Sequence, residues 1–194
     1  MTHFDPKDDL HRYLNVARES LLWKLEGMSE YDLRRPMTPT GSNLLGIVKH
    51  VASVEGGYLG EIFGRPFPEP FPWFDEDAEP NADMFATAEQ SSDDIIGLYH
   101  RVAAHSAATV EALALDDTGL VPWWPEDRRV VSLHQILVHI TTETHRHAGH
   151  ADILRELIDG AAGLRASATN LGSDDPGYWP GYVARVEQIA LSFR

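Results

Sequence analysis

The stretch LHQILVHITTETHRHAGHADILRELI, residues 133–158, decides how this chain is read. Leu133, Ile136 or Leu137, Ile140, Ala151, Leu154 and Leu157 recur at the three-to-four-residue spacing of one helical face. Ser132 followed by Gln135 fits a capping box at the start, and Gly160 supplies a stop. Halfway along, where the core face of a bundle helix is normally most apolar, stand Glu143, Thr144 and His147. Glu143 and His147 are four residues apart, so their side chains stack about one turn apart on the same face. A carboxylate is costly to bury alone, and it calls for a partner or a metal ion.

Working outward, three more amphipathic segments appear. Pro6 to Tyr31 carries Leu10, Leu14, Ala17, Leu21 and Leu25 at helical spacing. A second helix is expected from Ser42 to Phe63, ended by Gly64, Arg65 and Pro66. A third runs from Ser92 to Leu115, its start supplied with cap oxygens and favourable charge by Ser91, Ser92, Asp93 and Asp94. Between the second and third, Pro66 to Gln90 is rich in proline, phenylalanine and acids and reads as an irregular crossover, of a length that often covers a site. Its Phe67, Phe71, Trp73 and Phe74 are expected to anchor it on the helices. A loop from Gly163 to Pro180 and a short helix from Gly181 to Phe193 complete the chain. No stretch reads as a convincing strand. The expectation is a single all-α domain over residues 1–194, a four-helix bundle of up-and-down or ferritin-like type with a long crossover and a short C-terminal helix.

The second helix shows the same polar interruption as the last. His50 stands between Ile47 and Val54, beside Val51, on the face that should turn inward. His50, Glu143 and His147 would supply three nitrogen and oxygen ligands from two facing helices, leaving a coordination position open as catalytic zinc sites do. Nickel, iron or manganese accepts the same ligands. A buried histidine bonded to a glutamate is also commonplace in cores. His139, four residues before Glu143, competes with His147 or adds a ligand by spacing alone. His134 and His145 fall off the core face, and His100 and His105 read as surface or packing residues.

Bulk composition narrows the chemistry. There is no cysteine among the 194 residues, so thiolate metal sites, disulfides and cysteine nucleophiles are excluded, and any thiol must come from outside. Thirty acidic side chains against 16 Lys and Arg give a formal charge of -14, which repels nucleic acid and anionic lipid. The N-terminus carries no secretory pattern and no run is long enough to span a membrane, so the expected location is the cytoplasm.

The segment from Glu143 to Glu156, together with the residues Asn43 to Gly46 before His50 and Trp123-Trp124-Pro125 before the last long helix, resembles the DinB-like, YfiT-like superfamily of metalloenzymes. It is most similar to the branch holding mycothiol-dependent maleylpyruvate isomerase and the mini-circle proteins. The resemblance implies one divalent metal, zinc first, held by His50, Glu143 and His147, with glutamate where many relatives carry histidine. It also implies a low-molecular-weight thiol such as mycothiol as cosubstrate, used for S-transfer to a small electrophile or for its isomerisation. A homodimer is expected because relatives often form one. A non-catalytic metal-binding or stress-response protein and a metal-dependent hydrolase are the rival readings. Around the ligands, His150 and Asp152 could orient His147, Arg155 could neutralise an anionic substrate, and Tyr58 and Trp124 could wall a pocket.

Overall fold

The computed structural model describes residues 5–194. Its backbone separates into two compact units, one ending at Ala162 and the other running from Gly163 to Arg194.

The first unit is helical. It contains α1 (Pro6–Leu22), the short α2 (Glu30–Arg34), α3 (Leu44–Tyr58), α4 (Ser92–Ala112) and α5 (Leu133–Asp159). α1 packs against α5 and α4, and α3 packs against α4 and α5. Leu14 and Leu21 of α1, Val48 of α3, Val102 of α4 and Ile136 of α5 are fully buried in the core they share, each worth roughly 1.5–3 kcal/mol relative to exposure. α5 follows its stripe closely, with Ser132 Oγ accepting the Gln135 N–H at 3.2 Å and Gly160 closing the helix at a left-handed φ of 81°. No described helix is long and apolar enough to cross a membrane.

Three expectations are corrected. The first helix does not continue to Tyr31: it stops at Leu22, tightens into a 3-10 turn over Trp23–Leu25, and breaks at Gly27, which adopts φ 73°. Ser29 then caps α2 by accepting from the Asp32 N–H. α3 is shorter than the Ser42–Phe63 segment because Asn43 supplies its N-cap and the chain tightens into a 3-10 turn at Glu61–Phe63. Strands also occur. β1 (Thr118–Leu120) pairs antiparallel with β2 (Val130–Ser132), with Thr118 opposite Ser132, and this ribbon leads directly into α5. At three residues each, its strands are too short to show a period in the sequence.

The crossover is seated on one face of α3. Lys49 is fully buried as a side chain, and its Nζ donates to the carbonyl oxygens of Ala82 and Phe85 at 2.7 and 2.8 Å. Trp73 Nε1 donates to Ser53 Oγ at 2.8 Å, and Phe71 lies against Gly56. At Gly46 the approach is closest: a Cβ there would stand 1.7 Å from the Met84 carbonyl oxygen, which also accepts from Asn43 Nδ2. Gly46→Ala must therefore lift the crossover from the helix. A loss of about 1–3 kcal/mol is expected, as for other overpacked sites, read as a lower midpoint in urea. A midpoint equal to the wild type would refute this seating.

The second unit contains an antiparallel bridge between Arg165 and Ala168 and a final helix, α6 (Tyr178–Leu191). α6 begins three residues before the expected Gly181, because Pro180 is accommodated in a first turn whose N–H groups have no helical acceptor. The rings of Tyr178, Trp179 and Tyr182 pack together along it.

Candidate metal centre

α3 and α5 lie side by side, with His50 facing Glu143 and His147 at one level and Tyr58 facing His139 at the next. Ascending α3 corresponds to descending α5, so the two helices run antiparallel. This brings one potential ligand atom each from His50, Glu143 and His147 within 4.8 Å of one another. Glu143 Oε1 is 2.9 Å from His147 Nε2 and 3.6 Å from His50 Nε2. His147 is buried, whereas His50 and Glu143 are partly open.

The fourth member of the cluster was not visible in the sequence. His50 Nδ1 lies 2.6 Å from Asp83 Oδ2, on the 3-10 turn Ala82–Met84 of the crossover. A carboxylate accepts, so in the neutral ring Nδ1 carries the proton and Nε2 presents a lone pair. In that neutral form the lone pair faces the Glu143 carboxylate at 3.6 Å, whereas a proton on Nε2 bridges the two when the ring is charged. A cation among His50, Glu143 and His147 would relieve the same opposition, and the donor set of two imidazoles and a carboxylate suits a divalent transition metal. Asp83 is the outer partner that fixes the ring and raises its basicity. Asp83→Ala is expected to weaken metal affinity about 10–100-fold, measured by competition with a chromophoric chelator. Unchanged affinity would remove Asp83 from the site.

The electrostatics favour the ligand forms. Burial raises the Glu143 carboxyl, but the charge and hydrogen bonds of His147 and His50 outweigh it and hold the group below its ordinary range. Burial, with the neighbouring His50, lowers His147, so its imidazole stays neutral further into acid. Both directions keep the side chains deprotonated, as metal binding requires.

A cavity of about 610 Å³ opens beside His50 and Glu143 along the α3–α5 groove. Val54, Tyr58, Phe71, Phe74, Trp123 and His139 line it beyond His50 and Glu143, so the crossover aromatics form part of its wall. His139 sits one turn from Glu143, its ring against Tyr58 and Trp124 and its nitrogens outside the convergent set. Trp124 packs on Tyr58 and lines a second cavity that also borders His139, whereas Trp123 lines the first.

The remaining candidates lie elsewhere on α5. His150 is exposed, its ring edge-on to His147 at 5.3 Å. Asp152 pairs with Lys24 at 3.3 Å. Arg155 binds Asp159 and donates to the carbonyls of Lys24 and Glu26. Asp152 and Arg155 thus make contacts that fasten α5 to the turn after α1. Helical spacing placed Asp152 near His147 in number, but its carboxylate meets Lys24, in the turn after α1.

No curated protein compared with the chain matches it. The family model described as Mycothiol-S-transferase matches residues 9–160, a span that takes in α3, the crossover, α5 to its last residue and all three ligand candidates. The chain belongs to the mycothiol-S-transferase family.

Proposed function

We propose that this protein is a metal-dependent transferase that joins the sulfur of a low-molecular-weight thiol of the mycothiol type to a small electrophile. The observation that carries the reading is the convergence of His50, Glu143 and His147 at the end of a cavity of about 610 Å³, in a chain of this family. A protein that only sequestered a metal would have no use for such a space beside its ligands, and the cavity is in the size range of small-molecule sites.

His50, Glu143 and His147 would hold one divalent cation, zinc being the first expectation. Such an ion lowers the pKa of a coordinated thiol so that thiolate is available at neutral pH. The chain's own contribution is placement and exclusion of water. Asp83 keeps the His50 ring in one orientation. Glu143 supplies the negative charge of the donor set and, before the cation arrives, accepts from His147. Val54, Phe71, Phe74 and Trp123 give the electrophile an apolar wall. Because the chain contains no cysteine, no protein thiol competes with the external one.

The test is conjugate formation, followed by mass spectrometry, from mycothiol and an alkylating dye with zinc-, nickel- and manganese-loaded protein. Turnover that needs both metal and thiol is expected. Substrate consumed without thiol would point instead to hydrolysis, and protein that retains no metal would end the reading.

A further inference from the structure

Tyr58 stands at the end of the cavity away from the ligands, two helical turns along α3 from His50, or about 12 Å by helical rise. Its phenol is almost buried, at 9% exposure, yet it borders the cavity. Trp123 Nε1 donates to its oxygen at 3.1 Å and Trp124 Nε1 donates at 2.9 Å. An indole N–H can only donate, so both contacts use the lone pairs of the phenol oxygen. What remains on that oxygen is its own proton, and no acceptor among the described residues takes it. Two donors on one oxygen also polarise its O–H, making it a better donor in turn. The two indoles satisfy the oxygen as an acceptor and leave its donor side open. Here the unfilled direction belongs to a residue lining a substrate-sized space.

We infer that Tyr58 is a hydrogen-bond donor to the oxygen of a carbonyl-bearing electrophile, and that the acceptor substrate is an apolar α,β-unsaturated carbonyl compound. This rests on the transferase reading above. As the thiolate sulfur bonds to the β-carbon, the C=C electron pair moves toward the carbonyl oxygen, where negative charge develops. The Tyr58 O–H, held by the two indoles, donates to that oxygen and stabilises the enolate without giving up its proton. The α-carbon then takes a proton from water, balancing the one released when the thiol ionised. The apolar wall of Val54, Phe71 and Phe74 accepts the hydrocarbon part.

The first test needs neither metal nor thiol. Metal-free protein is titrated with cyclohexanone, an unreactive carbonyl, and with methylenecyclohexane, its isosteric alkene, by tryptophan fluorescence. Tyr58→Phe is expected to weaken the ketone about fivefold more than the alkene, the worth of one hydrogen bond. An equal change for both, as expected if Tyr58 only supports Trp123 and Trp124, overturns the inference. The wild-type protein gives an independent reading that holds even if the variant does not fold. Bound carbonyl-¹³C cyclohexanone should show the downfield shift of a hydrogen-bonded ketone, and a shift like that in hexane overturns it. In turnover with mycothiol, Tyr58→Phe should lose about tenfold more rate on cyclohexenone than on an alkyl iodide, whose leaving group needs no oxygen donor. Wild-type turnover of the iodide but not the enone sinks this inference and leaves the transferase reading standing. Ketone binding that depends on Tyr58, with no conjugation of any electrophile, sinks the transferase reading instead.

Discussion

His147→Ala is expected to abolish stoichiometric metal binding and to lower thiol conjugation by at least about 10³-fold, since a bound cation contributes several kcal/mol to such chemistry. His147 is the most buried of the three ligand candidates, and its Nε2 meets the same Glu143 oxygen that faces His50. Without it the donor set falls to one imidazole and one carboxylate, too few for a site that leaves a position open for substrate. Folding of the metal-free protein should change far less, because the ring's Nδ1 has no partner among the described residues and the bond lost joins two residues of one helix. Metal content by mass spectrometry, conjugation rate and the urea midpoint of metal-free protein separate these effects. Full metal content in the variant would move the site off His147. A collapsed midpoint in the metal-free protein would make the residue a packing element.

The second large effect concerns stability away from the cavity. Arg18 of α1 reaches Glu55 of α3 through two hydrogen bonds, Nε to Oε2 at 3.1 Å and Nη2 to Oε1, with Glu55 fully buried and Arg18 nearly so. Nearby, burial and then the Glu55 charge raise the phenol of Tyr99 well above its ordinary range, so that side chain stays neutral. Glu55→Leu leaves the guanidinium buried without its carboxylate and is expected to cost about 3–5 kcal/mol. Adding Arg18→Met should recover most of the loss, because an apolar pair of similar volume can replace a buried ion pair without penalty. Urea unfolding of the two single variants and the double variant closes the cycle. Losses that simply add would mean that the two charges do not depend on one another.

The three ligand candidates show how far local pattern reaches. Glu143 and His147 share a face because they are four residues apart on a helix, a consequence of 3.6 residues per turn that needs no tertiary information. The polar interruption at His50 was legible for the same reason. Asp83 was not, since it lies in an irregular crossover with no period, and its bond to His50 depends on the close approach at Gly46 and the carbonyl contacts of Lys49. Spacing likewise offered Asp152 as a neighbour of His147, but the packing of α5 on the turn after α1 pairs it with Lys24 and brings Arg155 to the carbonyls of Lys24 and Glu26.

By itself, the sequence determined an all-α chain with four long amphipathic helices, the helix-starting caps at Ser91 and Ser132, the stop at Gly160, and a chemistry without protein thiols. These follow from local backbone preference, side-chain period and composition. The tertiary structure alone decided the break at Gly27, the short ribbon before α5, the seating of the crossover, and the two indole bonds to the Tyr58 oxygen. Each depends on which surfaces meet across separations of many residues. Periodicity fixes the face a side chain occupies on its own helix, whereas its partner is set by the packing of helices against one another.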